Sequence, residues 1–450
     1  MRVVEEFPTE PSADSTNAKH PPRFVLRGVL PGDATALDLD GTRWVLGRGG
    51  ESDVVLGRAR VSRSHAEITR RGPVIAIRDL KSTNGTHVNG ESVEHASLGA
   101  GSVVRIGEWL GVVEEVAYGM PEWPFGELAP GIWGSALLGQ SLRLLKLAAA
   151  SRLPVLLVGN TGTGKERLAR ALHHFSGDER PFRAINCAAL QPALAEAELF
   201  GYRKGSFTGA DRSFAGHLRL AEDGILFLDE VADLPASVQA KLLRALDTGE
   251  FTPLGEATVA RLAARVVAAC QQPLSELVAR GRFRADLAAR LAGVIVEIPE
   301  LVQRRADIPS LFDRFLCEHS GATAPPVSTR LHEHLCLHDW PGNVRELELL
   351  ARQLLATHGM EPLLRRSHLP KAMHPLTTDT RIDGASPRSN SADVACLTNA
   401  LKQVGGNVKV AAKMAGISRQ RAYRLIGSRR LTSLVAESRQ ASDEDDVRDA

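Results

Sequence analysis

The chain has 450 residues, with 55 Lys and Arg against 53 Asp and Glu, a formal net charge of +2. That length exceeds what one hydrophobic core usually serves, so two to four domains are expected, and a charge so close to zero points to no partner by itself. No run of about 18 uninterrupted apolar residues exists, and the amino terminus MRVVEEFPTEPSADSTNAKHPP lacks an apolar signal core, so the reading is a soluble, cytoplasmic chain with no membrane partner.

Residues 1–21 read as a flexible polar tail. A first unit, 22–118, carries short β-rich runs (RFVLRGVL, VVLG, HAEITRR, PVIAIRDL, SVVRIGEWLGVVEE) separated by Gly and Asn turns, the pattern of an antiparallel all-β sandwich. Within it LGRGGESDVVL, VSRSHAEI and DLKSTNGTHVNG follow one another, and turns at one end of a sandwich gather Arg48, Ser62, Ser82, Thr83 and Asn84 around one anion. Arginine matches phosphate with paired donors and hydroxyls add directional hydrogen bonds. His65 and Gly47 read as structural, and Gly85 as the residue that allows the turn.

A Pro-rich joint, 119–131, leads into a middle unit, 132–372, where helical and strand patterns alternate: SLRLLKLAAASR, PVLLVG, ERLARALHHF, GILFLD, ASVQAKLLRALD, ARVVAA. That alternation implies an α/β unit with a parallel sheet covered by helices. In VLLVGNTGTGKE a buried strand precedes a Gly-rich turn and a helix, so the segment Gly159, Asn160, Thr161, Gly162, Thr163, Gly164, Lys165 and Glu166 can wrap phosphates, with the Lys165 ammonium bridging β and γ oxygens. Glu166 stands where this pattern usually has Ser or Thr for magnesium. About sixty residues on, GILFLDE ends an apolar strand in two carboxylates: Asp229 is placed to hold Mg2+ through water and Glu230 to orient an attacking water. Arg284 and Arg290 in GRFRADLAARLAG, and Arg345 in WPGNVREL, are candidates for stabilising charge on γ-phosphate, although in an Arg-rich chain a surface ion pair is the usual fate of an arginine and spacing alone favours it. The five cysteines, 187, 270, 317, 336 and 396, are widely spaced and read as reduced core thiols.

After a polar linker, 373–392, residues 393–430 read as helix, turn, helix, turn, helix. Asn407 caps the second helix and Ser418 the third, which presents Arg419, Gln420, Arg421 and Arg424 to phosphates and base edges. Thr398 to Arg430 holds eight Lys or Arg and no acid, before the acidic tail 431–450.

Three resemblances follow from these residues. The run NCAALQPALAEAELFGYRKGSFTGA, with GNTGTGKE, LFLDE, FRADLAARL and WPGNVREL in order, resembles the AAA+ domain of bacterial enhancer-binding proteins, the activators of sigma-54 RNA polymerase. The resemblance implies a P-loop ATPase with a helical lid that binds ATP and Mg2+ and works as a homo-oligomeric ring, commonly a hexamer. By it Arg284 and Arg290 act as fingers in a neighbouring subunit, Arg345 as second sensor and Gln271 in the place of the first-sensor Asn. It also implies that Gly205, Ser206, Phe207, Thr208, Gly209 and Ala210 match the GAFTGA loop that touches sigma-54, with Phe207 an exposed apolar anchor. Arg219 replaces a customary Glu and Val302 a customary Arg. The first unit resembles a forkhead-associated (FHA) domain, which implies a phosphothreonine-containing partner held by Arg48, Ser62 and Thr83, with Asn84 on the peptide backbone. The last unit resembles a Fis-type helix-turn-helix that binds enhancer DNA. The composite expectation is an activator that remodels sigma-54 holoenzyme from closed to open complex. Its rivals are a phosphopeptide- and DNA-binding regulator with a weak or absent motor, and an AAA+ remodeller of another client.

Overall fold

Alternating apolar residues in the first unit build two sheets, antiparallel throughout except where Val54–Val55 pairs parallel with Arg43–Gly47. One has six strands in the order Ala36–Asp38, Arg23–Gly28, Trp109–Val116, Val103–Ile106, Thr86–Val88, Glu91–Val93; the other has five, from Val54–Val55 through Arg43–Gly47, Ala66–Arg71 and Val74–Asp79 to His95–Leu98. Leu26, Leu46, Ile68, Ile77 and Trp109 close the core between them. The computed structural model describes residues 23–116, 125–177, 179–321 and 324–373, together with Leu397. The expected helix-turn-helix with Ser418, Arg419, Gln420, Arg421 and Arg424, and both terminal tails, lie outside the described residues.

The middle unit is a five-stranded parallel sheet in the order Phe182–Asn186, Ile225–Asp229, Arg265–Cys270, Val155–Val158, Val294–Glu297. Its central strands VLLV and RVVAAC are buried along their whole length, as helices on both faces require. Part of the Pro-rich joint is structured: Gly126–Ala129 pairs antiparallel with Ile132–Gly134. Three lid helices follow, Ile308–Ser320 with Pro309 in its first turn, Thr329–Leu337 capped by the Ser328 hydroxyl, and Asn343–His358. Among the described residues no helix is long and apolar enough to cross a membrane.

The sandwich and the lid share a core. Val29, Leu30, Val103, Leu110 and Val112 pack in one cluster with Leu301, Ile308, Leu311, Phe312, Leu331 and Leu335. The Arg105 guanidinium donates to Glu333 at 2.7 Å with both side chains 8% exposed. Thr329 donates to the Glu108 carbonyl at 3.2 Å, and Arg305 to the Gly101 carbonyl at 3.2 Å. Sequence reading separates these units at the joint; the structure seats the sandwich on the lid through outward-facing Val103, Leu110 and Val112, with the Arg105–Glu333 pair among them.

Candidate functional site

The strand Val155–Val158 delivers the chain into a turn in which Gly162 and Gly164 take φ of +79° and +100°. A Cβ on Gly162 would lie 2.0 Å from the Gly342 carbonyl oxygen of the lid, so only glycine fits. The helix Lys165–Phe175 then starts with its free amides toward a cavity of about 390 Å3 lined by residues 161–168, Asp229, Glu230 and Arg345. Lys165 is 7% exposed; its ammonium donates to the Gly159 carbonyl at 2.9 Å and meets Glu230 at 3.3 Å. Thr163 bonds back to the Asn160 carbonyl at 2.8 Å, and Asn160 donates to Glu300 at 2.7 Å. Glu166 lines the cavity's exposed rim and pairs with Arg170 at 2.7 Å. The cavity's apolar end is formed by Ile132, Trp133, Leu311 and Phe315, with the Arg314 guanidinium 3.8 Å from the Trp133 ring.

Burial raises the Asp229 carboxyl above its usual range, and the Lys165 charge opposes that rise. Glu230 has φ of +52°, and its side chain lines the cavity. Gln271 donates to Glu230 Oε1 at 3.2 Å, the same oxygen that faces Lys165. Cys187 and Cys270 are buried thiols pushed up to about 12 by desolvation, hence neutral core groups. Cys336 is also buried, but Cys317 is exposed, contrary to a core reading for that residue, because it lies off the buried stripe of its lid helix in a cleft lined also by the sandwich.

Arg284 and Arg290 do not line this cavity. Both are exposed, Arg284 pairing with Asp286 at 2.7 Å and Arg290 with Asp247 at 3.0 Å. Arg345 is at the cavity, its backbone amide 3.4 Å from the Gly162 carbonyl.

The Gly205–Ala210 loop is closed by Gly205 N–H to the Ala210 carbonyl at 2.9 Å and Ala210 N–H to the Phe207 carbonyl at 3.1 Å, with Gly205 and Gly209 at φ of +81° and +97°. Thr208 is exposed at its tip. Phe207 is half-buried, edge-on to Tyr202 with ring centroids 5.0 Å apart, rather than a free apolar anchor: folding the loop back desolvates the ring. At the loop's base Arg219 pairs with Glu256 at 3.6 Å, so the reversed charge has an acid of its own.

At one end of the sandwich Arg48, Thr83 and Asn84 are exposed, and Ser62 and Ser82 are half-buried. The Ser62 hydroxyl accepts from the Thr83 amide at 3.1 Å, and the Ser82 hydroxyl donates to Asp79 at 2.7 Å. Asn84 donates to the Arg60 carbonyl at 2.8 Å. Buried His65 accepts from the Ser62 amide at 3.0 Å through Nδ1, and its Nε2 faces the Gly85 carbonyl at 3.2 Å. Burial lowers its pKa, so a neutral imidazole braces both loops.

Residues 132–297 match the sigma-54 interaction domain family, residues 44–107 the FHA domain family and residues 302–384 the AAA+ ATPase lid domain family. Transcriptional regulatory protein GlrR of Escherichia coli K12 is 38% identical over 309 residues, 66% of this chain and 69% of that protein. The chain belongs to the sigma-54-dependent transcriptional regulators. Transcriptional regulatory protein ZraR of Salmonella typhimurium is 38% identical over 293 residues, 64% of this chain and 66% of that one. The crystal structure of NtrX from Brucella abortus in complex with ATP is similar at 31% identity and a TM-score of 0.50, over 67% of this chain and 69% of that chain. The chain spans about half to two thirds of the length of the first curated relatives it matches.

Two site residues of this sigma-54-type regulator escape sequence reading. Asn186 lines the same cavity beside Asp229, its register partner in the sheet. Asn343, 2% exposed and at φ of +52°, accepts from the Leu301 amide at 2.9 Å and donates to the Thr161 carbonyl at 3.0 Å, bolting the lid to the phosphate loop. Asn tolerates this left-handed backbone better than most residues, and its position just before Arg345 in WPGNVREL is the one signal that marked it. Asn343→Ala leaves two buried polar groups unpaired; the expected loss is about 2–4 kcal/mol of lid stability in urea unfolding, with weaker ATP binding by calorimetry.

Proposed function

We propose that this chain binds ATP and Mg2+, hydrolyses ATP as a homo-oligomeric ring, commonly a hexamer in this family, and uses the Gly205–Ala210 loop to open sigma-54 holoenzyme at a promoter. Residues 393–430 would hold it on enhancer DNA, and a phosphothreonine-containing protein would control it through Arg48, Ser62, Ser82, Thr83 and Asn84. The carrying observation is the division of the ATPase parts: Lys165, Asp229, Glu230 and Arg345 surround one cavity, while Arg284 and Arg290 stand exposed away from it. Arginines that stand away from their own subunit's cavity would complete a site from across a subunit boundary.

In this reading the loop amides and Lys165 neutralise the phosphates, and Asp229 would hold the metal ion, which would supply positive charge to the transferring group. Glu230 orients the attacking water, and the Arg284 and Arg290 guanidiniums of a neighbouring subunit stabilise charge on the transferring group. Release of Glu230 from Gln271 and Lys165 is then part of the cycle. Pull-down with purified sigma-54 tests the output: the wild type retains it in the presence of ATP and a transition-state mimic, and Thr208→Ala, altered at the exposed loop tip, loses it. Equal retention by both would sink the loop assignment.

The hydrogen bond from Gln271 to Glu230 favours a second reading, a phosphopeptide- and DNA-binding regulator with a weak motor. Gln271→Asn shortens that reach by one methylene. A several-fold rise in ATP hydrolysis is expected if the longer side chain restrains Glu230, and an unchanged rate removes this support for the weak-motor reading.

A further inference from the structure

The docking of sandwich on lid encloses a cleft of about 1010 Å3 against the face that carries Asn84. One wall is sandwich: Arg60, Asn84, His87, Arg105 and Glu108. The other is lid, and it brings Arg330, Arg365 and Arg366, all three exposed. The two acids of the cleft are already matched, Glu108 with Arg60 at 3.4 Å and Glu333 with Arg105 at 2.7 Å. The lid arginines therefore give the cleft a net positive field next to the residue that would hold a peptide backbone.

Resting on the phosphothreonine reading above, we infer that the ligand carries acidic side chains beside its phosphothreonine and binds across both domains, its acidic flank held by Arg330, Arg365 and Arg366 of the lid. The sandwich alone would recognise the phosphate; the lid arginines select the neighbouring residues. Because the same lid carries Asn343 and Arg345 at the 159–166 turn, a ligand gripped by both domains is in physical contact with an element that borders the proposed ATP cavity.

The test is capture of a degenerate peptide library with one fixed phosphothreonine on the full chain, followed by sequencing of the retained peptides. Asp and Glu should be enriched on one side of the phosphothreonine by about tenfold summed over positions, since each exposed charge pair contributes a factor of roughly 1.5 to 5. The enrichment should shrink as salt is raised. Arg330→Ala/Arg365→Ala/Arg366→Ala should erase it while still retaining phosphorylated peptides, whereas Arg48→Ala should retain none. Phosphorylated peptides captured without acidic enrichment, or with the same enrichment in the triple variant, would overturn the composite site and leave the phosphothreonine reading standing. Capture that ignores phosphorylation and Arg48→Ala would overturn both. A peptide copying residues 4–15, VEEFPTEPSADS, phosphorylated at Thr9, separates the sources: retention assigns the ligand to a copy of this chain, and its absence beside an acidic library consensus assigns it to another protein.

Discussion

Arg284→Ala will lower steady-state ATP hydrolysis by about 10^3-fold or more while leaving ATP binding intact, the loss expected for an arginine that acts only on the transferring phosphoryl group. The prediction rests on where the residue sits: exposed, paired with Asp286 and outside the cavity that Lys165 and Asp229 line. An arginine supplied by a neighbour has a consequence that a structural arginine lacks. Mixing Arg284→Ala with Lys165→Ala, each inactive alone, should restore part of the rate. One subunit brings an intact phosphate loop and the other an intact finger. Absence of recovery at concentrations where the wild type is active would remove Arg284 from the site.

Arg105→Ala will destabilise the seat of the sandwich by about 3–5 kcal/mol, because it strands the Glu333 carboxylate in a nearly dry interface. Both side chains are 8% exposed and 2.7 Å apart, so solvent cannot replace the lost partner. Hydrogen exchange at Val103–Ile106 and Thr329–Leu337 should rise together, since these segments meet at that pair. Arg105→Met/Glu333→Leu should recover most of the loss by filling the same volume with apolar atoms. Should the single variant keep wild-type protection, the sandwich would not be seated through this pair.

The residues that make chemistry were legible where a motif forces a backbone shape. GNTGTGKE, LFLDE and STNGT each couple glycine, hydroxyl or charge to a strand end, and the structure places their side chains at two sites. Two strands of the central sheet were not read. Phe182–Asn186 and Val294–Glu297 are its edges, half exposed and too polar or too short to show the apolar run of a central strand. The docking of sandwich on lid left a trace in SVVRIGEWLGVV, which lacks the polar alternation of a one-sided strand; a strand buried on both faces needs a cover, and the lid supplies it. Phe207 shows the opposite error. A Gly-flanked aromatic suggests display, but a nearby Tyr202 ring and two loop-closing hydrogen bonds draw it in. These contacts are local, but they depend on how the loop folds back rather than on any helix or strand period.

The most direct measurement is steady-state ATP hydrolysis by the full-length protein over rising concentration, with Glu230→Gln as control. A site divided between subunits predicts a rate per subunit that climbs as rings assemble and vanishes in the control. A rate per subunit that is independent of concentration, or no hydrolysis at any concentration, would contradict a motor completed by its neighbour's arginines.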